Sequence, residues 1–244
     1  AVSYSSTDYV GHSFGPHAIE VQDTYLRLDQ DLERLFNALD AKVGKGQYVV
    51  FLSADHGVAD NSKRMHDDRF LSDNMSYRKL SGAVNEMLKG KYGDQKWMES
   101  FLVLDRKLVK EKGLDRASMQ RVIADFLNNY PGVYKAFTAS DLTNKEYTKG
   151  ISELIQNNYH VDQSGDVMLV LDPGWQGGGS KGTSHGNSWN YDTHVPIIFY
   201  GWGVTQGSSV RHINITDIAP TVSMLLNMRM TNAATGQPIQ EIFK

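Results

Sequence analysis

Cysteine is absent from the 244 residues, which excludes disulfides and thiolate metal sites. Any bound metal must then be held by histidine and carboxylate, a donor set that suits zinc, manganese or iron. No apolar run approaches the ~18 residues that a membrane helix needs, so no membrane span is expected. Long runs of like charge are also missing and the formal net charge is −3. That argues against nucleic acid as a partner, because such binding needs clustered Lys and Arg. Internal repeats, low-complexity tails and a visible signal peptide are lacking too. The chain opens on Ala1 rather than methionine, which is compatible with removal of an upstream segment.

What is present is ordinary for a globular chain: 40% apolar and 22% charged residues, enough for a substantial core. The length exceeds the usual ~100–200 residues per domain. One large α/β domain, or one domain with an insertion, fits better than a string of modules.

The stretch Val49-Val50-Phe51-Leu52-Ser53-Ala54-Asp55-His56-Gly57 organises the reading. A short apolar run rich in β-branched residues reads as a buried strand, and open α/β sheets bind ligands beyond the carboxyl ends of their strands. Asp55 and His56 stand there. Neighbours on a strand point to opposite faces, so both reach one ion only if the backbone turns, which Gly57 permits. Val2–Ser6 alternates weakly and reads as another strand, followed by Asp8 and, four residues on, His12. If that turn is helical, the two share a face. From His17 to about Val43, apolar residues at 21, 25, 28, 32, 35, 39 and 43 mark a long amphipathic helix. Strand, helix and strand (Gln47–Ala54) then predict a βαβ unit with parallel strands and a right-handed crossover.

Residues 60–74 read as a polar loop, 76–92 as a helix, 97–104 as a strand, 133–137 as a short strand and 145–159 as a helix. Asp115 is the expected N-cap of a helix carrying Met119, Val122, Ile123, Phe126 and Tyr130. The section 60–160 carries no recognisable chemical motif and is expected to be an inserted or lateral α+β subdomain, on a core made of 1–59 and 161–244. Asp166–Leu171 reads as a strand opening into Asp172–Gly186, a loop with six glycines that let backbone pass close to something. It is not a P-loop, because Gly-Lys-[Ser/Thr] lacks the required spacing. Val195–Tyr200 is the next strand, and Asp217 is expected to cap a final helix with Pro220 in its first turn.

Asp8/His12, Asp55/His56 and His185 thus each follow a predicted strand and lie beside glycine. A lone Asp-His pair is commonly a capped strand end, and a lone Asp-x-x-x-His a solvated turn. Together at strand ends of one α/β pattern, they point to a metal site. Carboxylates and imidazoles bind zinc directly. Two ions ~3.5–4 Å apart can clamp the attacking and leaving oxygens of a phosphoryl group and lower the pKa of a bound water toward ~7.

Three blocks carry a resemblance: Ser5-Ser6-Thr7-Asp8-Tyr9-Val10-Gly11-His12-Ser13-Phe14-Gly15, Ser53-Ala54-Asp55-His56-Gly57, and Gly182-Thr183-Ser184-His185-Gly186 with Asn190–Pro196. In order and content they resemble the alkaline phosphatase superfamily, in its phosphate-irrepressible alkaline phosphatase branch near the type I phosphodiesterase/nucleotide pyrophosphatases. The resemblance implies a mostly parallel sheet sandwiched by helices and two zinc ions in the intact enzyme. By the same resemblance, Asp8, His12 and His185 would hold one zinc, and Asp55 and His56 would hold the second, completed by an upstream residue. His194 is the rival to His185 and is taken as structural or as supporting the ligands from behind; His17, His66, His160 and His212 are taken as ordinary surface or core histidines.

The implied activity is phosphomonoester hydrolysis by double displacement through a phosphorylated Thr or Ser, with a phosphate ester as substrate. Phosphodiesterase, nucleotide pyrophosphatase or sulfatase activity, and a non-catalytic metal-binding module, are the alternatives. The family's Thr or Ser nucleophile, its further zinc-binding Asp and its phosphate-holding Lys/Arg pair all precede the block at Val2–Gly15. The expectation is therefore a C-terminal portion, without turnover of its own, whose missing N-terminal part is its partner. The nucleophile is expected upstream of Ala1; Ser53, Thr183 and Ser184 do not match its position. A periplasmic or secreted location is expected from the resemblance alone.

Overall fold

The computed structural model describes residues 1–177 and 182–243. In chain order the helices and strands are α1 (Ser6–Phe14), α2 (Ile19–Lys42), β1 (Val49–Ser53), α3 (Ser62–Asp67), β2 (Asn74–Met75), α4 (Tyr77–Tyr92), β3 (Met98–Ser100), β4 (Val103–Leu104), α5 (Arg106–Glu111), α6 (Arg116–Leu127), β5 (Val133–Thr138), α7 (Ala139–Asn144), α8 (Gly150–Asn158), β6 (Val167–Leu171), β7 (Gln176–Gly177), α9 (Asn190–Thr193), β8 (Ile197–Gly201) and α10 (Ile218–Leu225). No helix among the described residues is long and apolar enough to cross a membrane. The chain divides into two compact units. One comprises Ala1–Thr24 with His56–His194, the other Tyr25–Asp55 with the residues from Val195 onward.

The first unit holds the main core. Leu80, Val84 and Leu88 recur every four residues on α4, and Met119, Ile123 and Leu127 do so on α6. That spacing puts each trio on one helix face. The two faces pack with Trp97, Leu104, Val133, Ala136, Val167 and Leu171 in one cluster. The Trp97 indole N–H, which burial would otherwise orphan, donates to the Gly93 carbonyl at 2.9 Å. β5 and β6 pair antiparallel, with Phe137 opposite Met168. Under this core lies one buried carboxylate with three donors. Asp166 accepts from Arg116 Nε at 2.6 Å, Gln120 Nε2 at 2.7 Å and the Leu104 N–H at 2.8 Å. Helix starts follow side-chain caps: Asp115 accepts from the Ser118 N–H, as its position predicts, and Asp105, Thr138 and Asn61 cap α5, α7 and α3.

In the second unit β1 pairs with β8, antiparallel and apolar against apolar: Phe51 opposite Phe199, Leu52 opposite Ile198. Asn214 and Asp217 close a capping box at the turn before α10. Asp217 is both the acidic third position of this turn and, as expected, the N-cap residue of α10, but its side chain makes no cap bond to α10: its carboxylate accepts from the Asn214 and Gln237 N–H groups.

Several expectations are corrected. Val2–Ser6 is not a strand: α1 begins at Ser6, and Val2 is 67% exposed. Two apolar residues cannot hold a strand without a neighbour, whereas Asp8 in a first turn favours a helix through the backbone dipole. The βαβ unit consequently does not form, and β1 takes its partner from the C-terminal segment instead. The α/β class holds, with helices and small sheets; among the described residues the ladders are two-stranded, three antiparallel and β2–β7 parallel. Residues 60–74 contain α3, and 97–104 is a hairpin with Leu102 at φ 53 rather than one strand. The helix expected over 145–159 contracts to α8, preceded by α7, which Thr138 starts.

Replacing Asp166 with Ala should lower stability by about 3 kcal/mol, because it strands one backbone N–H and two side-chain donors around a buried site. Urea denaturation measures this, and a change below about 1 kcal/mol would contradict the hub role.

Candidate metal centre

α1 makes Asp8 and His12 neighbours, since four residues on a helix return the chain to the same face. Asp8 Oδ1 lies 3.4 Å from His12 Nε2 and 3.7 Å from His185 Nε2. Each of the three offers one ligand atom, and all three atoms lie within 4.8 Å of one another. The side chains are about one-third exposed (31–37%), so the group opens to solvent on one side.

The His185 loop reaches α1 through its backbone. His12 Nδ1–H donates to the Thr183 carbonyl at 2.8 Å. A carbonyl can only accept, so Nδ1 carries a proton, and Nε2 is the nitrogen turned toward Asp8. His56 repeats the device, its Nδ1–H donating to the Gly57 carbonyl at 2.8 Å. Imidazoles that ligate metals are regularly held this way by a backbone carbonyl on the other nitrogen. A ring nitrogen this close to a carboxylate is held there by a positive charge, either a second ring proton or a metal ion. Two nitrogens and one oxygen suit zinc and its neighbours better than magnesium or calcium, which take oxygen ligands. An ion held by these three would keep a coordination position open, as in catalytic rather than structural zinc sites.

His56 stacks on His185, with ring centroids 3.5 Å apart and planes 13° apart. Asp55 stands two residues beyond β1, exposed, in the second compact unit. His194 caps the end of α9 and is exposed. His17 pairs with Asp60 at 3.2 Å, and His160 Nδ1 accepts from the Asp162 N–H. Of the six-glycine loop, Gly178, Gly179, Ser180 and Lys181 lie outside the described residues.

Two glycines act by close approach. A Cβ on Gly182 would overlap the His12 carbonyl oxygen, and one on Gly57 would overlap the Tyr191 carbonyl oxygen. Gly57 therefore does not serve the turn expected of it, since its φ lies outside the left-handed region. It admits α9, and its N–H donates to the Asp192 carbonyl at 2.7 Å. Thr183 is buried, and its hydroxyl donates to the Ala59 carbonyl.

Asp192 is the residue that sequence reasoning passed over. Its side chain is 3% exposed; Oδ2 accepts from the Asn187 N–H at 2.6 Å, while Oδ1 is buried without a partner among the described residues. Burial pushes its carboxyl above the usual carboxylate range, and the Asn187 N–H and then the His185 and His56 rings partly oppose this. The only signal in the sequence was its place in the block Asn190–Pro196, read there as motif and not as charge.

With this geometry in view, comparisons place the chain among known proteins. A family model described as type I phosphodiesterase / nucleotide pyrophosphatase matches residues 1–195. Alkaline phosphatase PafA of Elizabethkingia meningoseptica is 38% identical over 99% of this chain and 45% of its own length. A protein of Myroides odoratus named calcium-transporting ATPase is 37% identical over 99% and 45%. Alkaline phosphatase PhoV of Synechococcus elongatus is 38% identical over 100% and 44%. The crystal structure of wild-type PafA matches at a TM-score of 0.90 and 37% identity, covering 98% of this chain and 46% of that one. The chain thus spans less than half the length of these relatives.

Substituting Gly182 with Ala should push the end of α1 off the Thr183 loop and lower Zn2+ affinity by about tenfold or more. Titration calorimetry reads it, with far-UV circular dichroism confirming that the helices persist. Undiminished binding in a folded variant would contradict the role given to this contact.

Proposed function

Because the chain belongs to the type I phosphodiesterase/nucleotide pyrophosphatase family of the alkaline phosphatase superfamily, we propose that it is the zinc-binding C-terminal portion of a phosphomonoester hydrolase. Its α/β fold is similar to the matching 46% of alkaline phosphatase PafA. The single observation that supports the functional reading best is the convergence of Asp8, His12 and His185 from opposite ends of the sequence. In this reading these three hold one zinc, and Asp55 and His56 contribute to a second. When bound, the ions supply positive charge for the phosphoryl oxygens and acidify a coordinated hydroxyl group.

The protein's own residues supply positioning. The Thr183 and Gly57 carbonyls hold the Nδ1 protons of His12 and His56 and so direct each Nε2 outward. Partial exposure of the cluster leaves an approach for a phosphate ester. We assign no nucleophile to this chain. Thr183 is buried and its hydroxyl is committed to Ala59, and Ser53 turns its hydroxyl to the Ala54 carbonyl at 3.4 Å. The attacking Thr or Ser, with the remaining zinc ligand, is proposed to lie in the part of the whole protein that corresponds to the unmatched half of its relatives.

The β1–β8 ladder supports that division. Phe51, Leu52, Ile198 and Tyr200 are 37–55% exposed. Consecutive strand residues point to opposite faces, so Phe51 opens one face and Leu52, Ile198 and Tyr200 the other. Strands apolar on both faces belong inside a sheet covered on both sides. We propose that the remainder of the protein covers this ladder, and that the whole protein is periplasmic or secreted. Hydrolysis of phosphodiesters is the second reading, favoured by the description of the matching family model.

Purified chain supplied with zinc should hydrolyse p-nitrophenyl phosphate no faster than background. The whole-length protein should turn it over and prefer it to bis-p-nitrophenyl phosphate and to p-nitrophenyl sulfate. Substantial zinc-dependent turnover by the chain alone would contradict the division, and a diester preference would select the second reading.

A further inference from the structure

We propose that Asp192 is a positioning residue of this metal centre, its buried negative charge strengthening the hold of the His56 and His185 imidazoles on cations. The inference rests on the zinc-site reading above. Three observations carry it. Asp192 is buried to 3% exposure, and Oδ1 is left without a partner among the described residues. A buried carboxylate oxygen without a donor is costly, and such a group persists where positive charge meets it.

The residue is also tethered to both histidine-bearing segments. Its carbonyl accepts from the N–H of Gly57, next to His56, and its Oδ2 accepts from the N–H of Asn187, two residues beyond His185. Its own N–H donates to the Trp189 carbonyl at 2.9 Å, which fixes it at the start of α9. Finally, the two rings it serves are stacked, so one buried charge acts on both. Burial keeps water from screening that charge, and the field at the rings is correspondingly larger than a surface carboxylate would give. Groups that support ligating histidines typically change metal affinity ~10–100-fold on removal; Asp192 acts here by its charge, since the His56 Nδ1–H is already given to the Gly57 carbonyl.

Asp192→Asn separates charge from scaffold. The amide keeps an oxygen to accept from the Asn187 N–H and has nearly the same volume, but it carries no charge. Zinc titration of the chain by calorimetry should show affinity reduced about 10–100-fold in Asp192→Asn, with the thermal midpoint of the zinc-free chain not lowered. Asp192→Ala, which loses both oxygen and charge, should lose at least as much affinity. Wild-type affinity in Asp192→Asn would overturn the inference, as would a loss confined to Asp192→Ala, which would mark a scaffold only. If the wild-type chain binds zinc and His185→Ala abolishes binding while Asp192→Asn does not weaken it, this inference falls and the zinc reading stands. If the wild-type chain takes up no zinc, both fall.

Discussion

The close seating of the Gly182–Ser184 backbone between α1 and Ala59 is the constraint on which the rest of the centre depends. Gly182 has no side chain because the His12 carbonyl occupies that space. Thr183 accepts from His12 with its carbonyl and donates to Ala59 with its hydroxyl. Ser184 is held from two sides, its carbonyl accepting from the Ala59 N–H at 3.2 Å and its N–H donating to Gln176 Oε1 at 2.8 Å. Each bond is of ordinary strength, about 1 kcal/mol net. Their joint effect is geometric: they set three chain segments in one register, and His185, the next residue, arrives facing Asp8. A helix contributes two members of the candidate group at fixed separation; this backbone clamp contributes the third.

Charge then explains what the clamp is for. Hydrogen bonds to carbonyls commit the Nδ1 protons of His12 and His56, and the carboxylate of Asp8 faces two imidazole nitrogens. The first compact unit also holds the buried carboxyl group of Asp192, tethered to the segments of His56 and His185. Negative charge and lone pairs gathered in one place are unfavourable alone and favourable around a cation. An arrangement of this kind is what phosphoryl transfer requires of a protein, because that chemistry asks mainly for positioning and for neutralisation of charge on oxygen.

Much of this was legible in the amino-acid sequence, for local reasons. Asp8 and His12 share a helix face because of their spacing, and α2, α4 and α6 follow from apolar residues recurring at three and four. The N-cap at Asp115 is a short-range bond, readable from adjacent residues. What escaped was set by distance. Val2–Ser6 alternated like a strand, yet strand formation needs a neighbour, and the sequence near it names none. β1 found its partner about 150 residues away, which no pattern near residue 50 announces. The same holds for Gly57, whose need for a missing Cβ comes from Tyr191. Asp192 looked like any acid in a polar turn until burial removed the partner of one oxygen. Motif resemblance, not periodicity, singled out His185 among eight histidines.

The most direct measurement is X-ray diffraction from crystals of the chain grown with zinc, collected on both sides of the zinc absorption edge. An anomalous peak within bonding distance of Asp8, His12 and His185 together is the result expected. A well-ordered structure with the three side chains in place at saturating zinc, and no anomalous density between them, would contradict the claim that these residues form a metal centre.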